Sequence, residues 1–411
     1  MGQVSSFRRD LGLLRDRQFA LLLTARTISM LGSSFTPVAL AFGILDLPGA
    51  TGTTLSVVLT AESLPTVLFM LVGGVIADRM PRQRVLMASE ITNAVAFAGM
   101  AAMLLTGWTP LPALALAAAV SGTAIALVWP ALTGIIPEVV PADRLQAGNA
   151  LLGLGVNSAR IAGSVLGGGA VVVLGGGWAL AVSAAMFAAA AGCVARLKLK
   201  PAGRVAAGSV LKDLQEGWRE FSSRQWLWVV VAQFSILVMA MQAAHGVLGP
   251  LVAKSELGGA AAWSAVLAGE AVGTITGVLL AMRLRPSRPI FLGTLLMVPT
   301  ALPYLLLGLS APLWSVVAGS FLLGVCFDVF AVLWQTTMQR EVPPESLSRV
   351  SSYDALGSLM FGPIGLMLAG PVAGVTGPKP ALIGCAAIVT GVSLLALLAP
   401  GVRGLRAPAS G

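Results

Sequence analysis

Charge is what this sequence has least of. Only 10% of its 411 residues are Asp, Glu, Lys or Arg, whereas 56% are hydrophobic. Soluble globular domains carry about 25% charged residues. Water therefore cannot be the main solvent of this chain, and a soluble multidomain protein is excluded.

Cysteine and histidine are also scarce. Cys193, Cys326 and Cys385 lie in apolar runs without metal-ligand spacing, and His245 is the single histidine. We therefore expect no disulfide framework and no metal site. A membrane enzyme would need clustered acids, histidines or metal ligands, so we expect no enzymatic activity. The sequence also contains no GxxxxGK[ST] motif for ATP.

Long apolar runs are what the sequence does contain. A hydrocarbon layer about 30 Å thick needs roughly 20 apolar residues as helix, because unpaired backbone groups cannot be left in lipid. The sequence predicts twelve such spans, at residues 18–45, 53–77, 84–106, 111–136, 146–174, 177–197, 226–253, 260–283, 289–309, 312–339, 347–376 and 380–400. The fold class predicted is an all-α polytopic membrane protein.

The longest polar stretch divides these spans six and six. It predicts an N-terminal six-helix bundle (1–197), a cytoplasmic amphipathic linker (198–225) and a C-terminal six-helix bundle (226–411). A shift of 202 residues aligns the halves over 140–168, with eight identities in 29 positions. The bundles are therefore expected to be pseudo-symmetric parallel repeats, which is an arrangement typical of transporters.

The positive charges predict the orientation. With a cytoplasmic N-terminus, 22 of the 26 Lys and Arg lie in inside segments, while only Lys254 and Lys379 lie in outside loops. This is the positive-inside pattern. It predicts that both termini are cytoplasmic in a bacterial inner membrane, and it explains the net charge of +9 without a nucleic-acid partner.

A motif lies between the second and third spans, in GGVIADRMPRQR. It resembles the signature GxxxDRxGxRR of the major facilitator superfamily, with Pro81 and Gln83 as departures. The resemblance implies two rocking six-helix bundles and a cytoplasmic gate. The gate residues implied are Gly74, Asp78, Arg79, Arg82 and Arg84.

Residues 129–169 resemble the superfamily branch that includes the enterobactin exporter and macrolide-efflux proteins. Within them Gly163, Gly167 and Gly168 resemble the antiporter motif GPxxGG, with Ser164 replacing its proline. The resemblance implies a monomeric drug–proton antiporter that uses the proton gradient and no bound cofactor.

Ionisable residues inside the spans are costly and are therefore functional candidates. The candidates for proton coupling are Arg26, Glu62, Arg160, Glu270 and Asp328. Glu62 is the first choice, because burial favours the protonated form of a carboxyl group. The alternative is that Glu62 forms a structural ion pair with Arg26 or Arg160. Glu90 and Asp354 lie nearer the cytoplasmic ends, and we assign them to the gate.

The superfamily arrangement brings the first, fourth, seventh and tenth spans around a central cavity. Bulky apolar residues on these spans would suit an adaptable pocket, although they could equally pack between helices or face lipid. His245 could titrate or donate a hydrogen bond to a neighbouring helix. The substrate-cavity candidates are Phe35, Trp129, Met239, Gln242, His245, Phe327 and Trp334.

The sequence thus predicts a secondary active transporter that exports small amphipathic molecules by alternating access, in exchange for protons. Its expected partners are the substrate and the lipid bilayer. The alternatives are an importer or facilitator of a small polar metabolite and a membrane sensor that does not transport. Siderophores, drugs and natural products all remain open as substrates.

Overall fold

The computed structural model describes residues 12–141, 144–198 and 210–406, and all regular elements within them are helical. Twelve helices in these ranges are long and apolar enough to cross a membrane, which confirms the predicted number. We number them α1 (Arg17–Leu45), α2 (Gly52–Arg79), α3 (Arg82–Thr106), α4 (Leu111–Val139), α5 (Leu145–Leu174), α6 (Gly176–Ala195), α7 (Gln225–Leu257), α8 (Ala260–Ala281), α9 (Pro289–Gly308), α10 (Leu313–Glu341), α11 (Pro344–Leu359 continued by Gly362–Thr376) and α12 (Pro378–Leu397).

Local sequence signals mark several helix ends. The Asp16 carboxylate accepts hydrogen bonds from the backbone N–H groups of Gln18 (2.8 Å) and Phe19 (3.1 Å) and so caps the start of α1. Gly107 ends α3 with φ of +73°, and Gly258 follows α7 with φ of +94°. Glycine adopts this left-handed conformation without a steric cost.

Three helices depart from the regular α-helices expected. Helix α7 contains π turns at Ala244–Leu248 and Ala253–Leu257 and ends four residues beyond its predicted end. The predicted span is shorter because the second π turn contains charged residues. Helix α9 contains a 3₁₀ turn at Pro299–Ala301, and α11 is interrupted between Leu359 and Gly362. Pro250 follows the first π turn, Pro299 begins the 3₁₀ turn and Pro363 follows the interruption of α11, and proline cannot donate a backbone hydrogen bond.

The predicted linker contains a helix at Val210–Ser223, while residues 199–209 lie outside the described part of the chain. This helix packs against the first part of α11. There the ring of Tyr353 lies 5.6 Å from Trp218 and 5.9 Å from Phe221. Aromatic side chains therefore attach the linker helix to the bundle that follows it.

Contacts divide the described residues into two compact units. The first contains residues 12–49 and 61–198, and the second contains 50–60 and 210–406. In the first unit α1 packs against α5 and α6, and α3 packs against α4 and α6. In the second unit α7 packs against α11 and α12, and α9 packs against α10 and α12. The same pairs recur six helices later, as the predicted pseudo-symmetric duplication requires.

Candidate functional site

Three polar side chains meet inside the second unit, from α7, α8 and α9. His245 Nε2 lies 2.9 Å from Glu270 Oε2. On the other side of the imidazole ring, the Tyr304 hydroxyl lies 3.1 Å from His245 Nδ1. We call these three residues the histidine cluster. It joins two of the residues that the sequence singled out.

The local backbone positions His245 for these contacts. The residue lies in the first π turn of α7, and π turns inside α-helices are rare and occur frequently at functional sites. Next to it, the Trp263 ring of α8 lies 6.1 Å from the His245 ring and packs against the backbone of Gly249. The wide turn and the bulky indole together hold the imidazole between α8 and α9.

Burial differs within the histidine cluster. The His245 side chain is 19% exposed and that of Glu270 is 25% exposed, whereas Tyr304 is only 2% exposed. The imidazole and the carboxylate are therefore only partly enclosed by the protein. The phenol is enclosed, and its hydroxyl must bond within the protein.

Glu62 in the first unit has a different set of neighbours. The Ser121 hydroxyl donates to Asn93 Oδ1 at 2.9 Å and lies 3.5 Å from Glu62 Oε1, which is a long contact for a hydrogen bond. A hydroxyl has one proton to donate, so its bond to Asn93 leaves its lone pairs facing the carboxyl group. A protonated Glu62 can donate to this oxygen.

Glu62 and Glu270 occupy equivalent positions in their units. A side chain at Gly122 of α4 would overlap the backbone carbonyl of Glu62, and a side chain at Gly324 of α10 would overlap that of Glu270. Each second helix therefore makes a close backbone contact with the fourth helix of its unit where its acid lies. Sequence reasoning treated these acids as rivals and did not identify this equivalence.

Arg26 pairs with Glu90 rather than with Glu62. Its Nη1 lies 3.7 Å from Glu90 Oε1, with both side chains almost fully buried between α1 and α3. The assignment of Glu90 to the cytoplasmic gate stays a prediction, and its observed partner is Arg26. Arg160 is exposed and donates to Asn157 Oδ1 one turn earlier on α5. Neither arginine is found paired with Glu62 in the described residues, so the proposed structural ion pair is not observed.

The sequence model described as Major Facilitator Superfamily matches residues 22–365 of this chain. The chain belongs to that superfamily. The match spans most of α1 to α11, and the superfamily comprises membrane transporters. This chain is accordingly a multi-pass membrane transporter whose substrates are small molecules.

Curated relatives and solved structures agree with this assignment. The enterobactin exporter EntS of Citrobacter koseri is 27% identical over 410 residues, covering 96% of this chain and 95% of the relative, and EntS of Escherichia coli O127:H6 shows the same values. The crystal structure of the nucleoside transporter NupG has a TM-score of 0.73 at 14% identity, covering 93% of this chain and 98% of NupG. A bacterial homolog to the human lysosomal transporter Spinster has a TM-score of 0.70 at 15% identity, covering 95% and 98%. These two structures establish the fold alone.

The superfamily signature loop joins α2 and α3. Arg82 pairs with Glu138 at the end of α4, with 3.1 Å between Nη1 and Oε1. Gln83, where the signature has a basic residue, donates from Nε2 to the carbonyls of Val194 (2.9 Å) and Leu197 (2.7 Å) at the end of α6. The start of α3 is thus tied to two other helix ends. Arg84 is exposed, and the side chains of Gly74, Asp78 and Arg79 lie outside the described part of the chain.

The antiporter-like glycines of α5 form a packing surface against α1. A Cβ at Gly163 would lie 2.5 Å from Ser34 Cβ, and a Cβ at Gly167 would lie 2.8 Å from Phe35 Cα. Gly168 is buried as well. These glycines allow close helix packing, and Phe35 is buried against them.

Aromatic side chains form a continuous ladder on α7 and α10. The Phe234 ring lies 5.5 Å from Phe327 and stacks on Phe330 at 5.4 Å, and Phe330 stacks on Trp334 at 6.0 Å. Trp334 Nε1 donates to Asp354 Oδ2 of α11 at 3.1 Å. Asp354 therefore lies at the end of this ladder, and its role in the gate stays a prediction.

The remaining candidates are dispersed. Asp328 of α10 is half-buried and packs against Gly277, which lies about two turns along α8 from Glu270. Met239 lines an apolar cavity of about 310 Å³ between α7, α11 and α12, and Gln242 is exposed. The side chain of Trp129 lies outside the described residues.

Sequence reasoning missed the partners of the ionisable groups. Tyr304, Asn93 and Ser121 are common residue types without a motif, so only helix packing reveals them. One signal was available, because the pattern E-x-x-x-T occurs at Glu62 and again at Glu270, 208 residues later. A search for repeats at this spacing would have paired the two acids.

Proposed function

We propose that this transporter exports small amphipathic molecules by alternating access in exchange for protons. The observation that carries the proposal is the likeness to the enterobactin exporters, which extends over 96% of the chain. A siderophore such as enterobactin is accordingly the first substrate to test.

Proton exchange is supported by the histidine cluster. A charge within the membrane is costly, and such residues face a partner or a cavity and mark proton pathways. His245 and Glu270 form a contact pair, and starting from a neutral imidazole and an ionised carboxylate one added proton would bring its net charge to zero. Substrate binding and protonation can then compete, because both depend on the charge of this pair. Glu62 has an equivalent place in the first unit and is the second site to test.

An amphipathic substrate is supported by the aromatic ladder of Phe234, Phe327, Phe330 and Trp334. Phe330 and Trp334 are buried, whereas Phe234 and Phe327 are partly exposed and offer apolar area without a fixed hydrogen-bonding pattern, which suits bulky molecules of varied shape. A sugar or organic acid would instead need several converging hydrogen-bonding groups.

Further features belong to the same proposal. The proton gradient is the energy source, and no bound cofactor takes part. The transporter acts as a monomer in the bacterial cytoplasmic membrane, with both termini in the cytoplasm. The support for this orientation is the concentration of Lys and Arg in one set of loops.

The test is efflux from bacterial cells that lack their own siderophore and drug exporters. We would measure secreted enterobactin and the loss of preloaded ethidium, with and without a protonophore, for the wild type and for Glu62→Gln, Glu270→Gln and Asp328→Asn. Glu341→Gln at the partly exposed end of α10 is the matched acid-to-amide control. Immunoblots of membranes would verify that each variant is present.

We expect the wild type and Glu341→Gln to export at least one probe in a protonophore-sensitive manner. Glu270→Gln should abolish this export while the protein remains in the membrane. Full activity in all three acid variants would remove the proposed proton site. Accumulation of the probes in place of efflux would contradict export itself.

A further inference from the structure

His245 Nδ1 has two neighbours of opposite hydrogen-bonding type. The Tyr304 hydroxyl, 3.1 Å away, can donate or accept. The Met241 carbonyl oxygen, 3.3 Å away, can only accept. Across the ring, Nε2 faces Glu270 Oε2 at 2.9 Å. The proton on the imidazole therefore decides which of these contacts are hydrogen bonds.

Two arrangements are possible for a neutral imidazole, which carries one N–H. If the Tyr304 hydroxyl donates to Nδ1, the N–H is on Nε2 and donates to an ionised Glu270. If the N–H is on Nδ1, it donates to the Met241 carbonyl, and Nε2 must accept from a protonated Glu270. The first arrangement carries one negative charge, and the second carries none.

Burial of Tyr304 selects the first arrangement. The phenol is 2% exposed, and an enclosed hydroxyl that cannot donate loses free energy. In the described residues the hydrogen bond found for this hydroxyl is the one with His245 Nδ1. Tyr304 thus holds Nδ1 as an acceptor while the imidazole is neutral and Glu270 is ionised.

We propose that Tyr304 is a positioning residue that fixes His245 in its Nε2–H tautomer and is released from this bond when the cluster takes up a proton. The added proton ends on Nδ1 in either product, an imidazolium beside ionised Glu270 or a neutral ring beside protonated Glu270. In both, the O–H···N bond from Tyr304 is replaced by an N–H···O bond from Nδ1. A substitution at Tyr304 therefore alters proton uptake without removing a titratable group of the pair.

Other titratable groups around the cluster are few. Cys385 of α12 faces Tyr304 as a buried thiol. On α7 itself, Lys254 and Glu256 lie two to three turns beyond His245, and Glu256 pairs with Lys379 at 2.8 Å. Glu270 is thus the acid in direct contact with the imidazole among the described residues.

The single histidine of the chain makes a direct test possible. The full-length protein would be labelled with ¹⁵N-histidine and reconstituted in lipid nanodiscs, and NMR would report the tautomer from alkaline pH, where the pair has released its proton, downwards. We expect one signal set with the Nε2–H signature in the wild type at alkaline pH. Tyr304→Phe should gain the Nδ1–H signature at a higher pH than the wild type, because proton uptake on Nδ1 then no longer breaks a hydrogen bond from the phenol.

The chain offers a matched control, since Tyr353 is its second tyrosine and packs against the linker helix. Tyr353→Phe should keep the wild-type spectrum. An Nδ1–H signature in the wild type at alkaline pH would overturn the proposal without any variant, so the test does not depend on the folding of Tyr304→Phe. An unchanged pH of the tautomer change in a folded Tyr304→Phe protein would overturn it as well.

The role of Tyr304 in transport rests on the proposed function. A second measurement distinguishes a failure of this role from a failure of the proposed function. The pH profile of efflux should differ between Tyr304→Phe and the wild type, while Tyr353→Phe should match the wild type. If the wild type exports neither probe but the tautomer responds as expected, the proposed function fails and the positioning role stands. If export is proton-driven but the pH profile of Tyr304→Phe is unchanged, the positioning role in transport is refuted.

Discussion

Replacing Gly122 with alanine tests whether close helix packing sets the position of Glu62. The added Cβ would overlap the Glu62 carbonyl oxygen, and it would lie 2.7 Å from the carbonyl carbon and 3.0 Å from Thr66 Oγ1. Ordinary contacts of a Cβ begin at 3.4 Å, so α2 and α4 must move apart by more than the roughly 0.7 Å that the carbonyl carbon alone would require.

The expected cost follows from two opposing effects. Overpacking of a close-packed interior costs about 1–3 kcal/mol. Alanine is favoured over glycine in a helix interior by about 1 kcal/mol, which offsets part of this cost. At Gly99 of α3 nothing lies within 4 Å of an added Cβ, so only the favourable effect remains. Gly122→Ala should therefore lower stability, while Gly99→Ala should leave it unchanged or raise it.

Stability can be measured as the temperature at which half of the detergent-solubilised protein leaves the monodisperse peak in size-exclusion chromatography. We expect a lower temperature for Gly122→Ala than for the wild type. Gly324→Ala, at the equivalent position in the second unit, should behave in the same way. If both variants matched Gly99→Ala, the close approach of the second and fourth helices would be refuted.

Two further predictions use the same thermal assay. Arg26→Met should destabilise the protein by up to about 3–5 kcal/mol because it leaves the buried Glu90 carboxylate without its partner. Adding Glu90→Gln should recover most of this loss of stability. Equal losses in the single and double variants would contradict the pairing. Gln83→Ala should cost about 1 kcal/mol for each hydrogen bond lost to the Val194 and Leu197 carbonyls, whereas Gln83→Arg keeps donor groups and should remain near the wild type.

The transmembrane helices could be predicted from the sequence because lipid imposes a strong and local rule. A run of about 20 apolar residues must form a helix whatever its neighbours are. The rule misplaces a helix end where the helix contains charged residues. Helix α7, for example, continues past Lys254 and Glu256 to Leu257. Hydropathy indicates whether a segment lies in lipid or in water, but it does not predict a π turn.

The candidate site could be predicted only in part. His245, Glu62 and Glu270 were identifiable because ionisable residues are rare in apolar spans. Their partners were not, since contact between helices depends on rotation and register that no single segment encodes. Arg26 illustrates the difference: its burial was predictable, but the choice of Glu90 over Glu62 depends on how α1 packs against α3.

The repeat explains why the equivalence of Glu62 and Glu270 escaped a comparison at one fixed spacing. Gly122 and Gly324 are 202 residues apart, the spacing that aligns the fifth helices, but the two acids are 208 apart. The second and fourth helices of each unit must meet at the same level, so the six-residue difference has to lie in the segments between them. Packing keeps the acid opposite the glycine, while the connections are free to change length. The contact between helices is therefore the property shared by the two halves, and a fixed spacing finds only part of it.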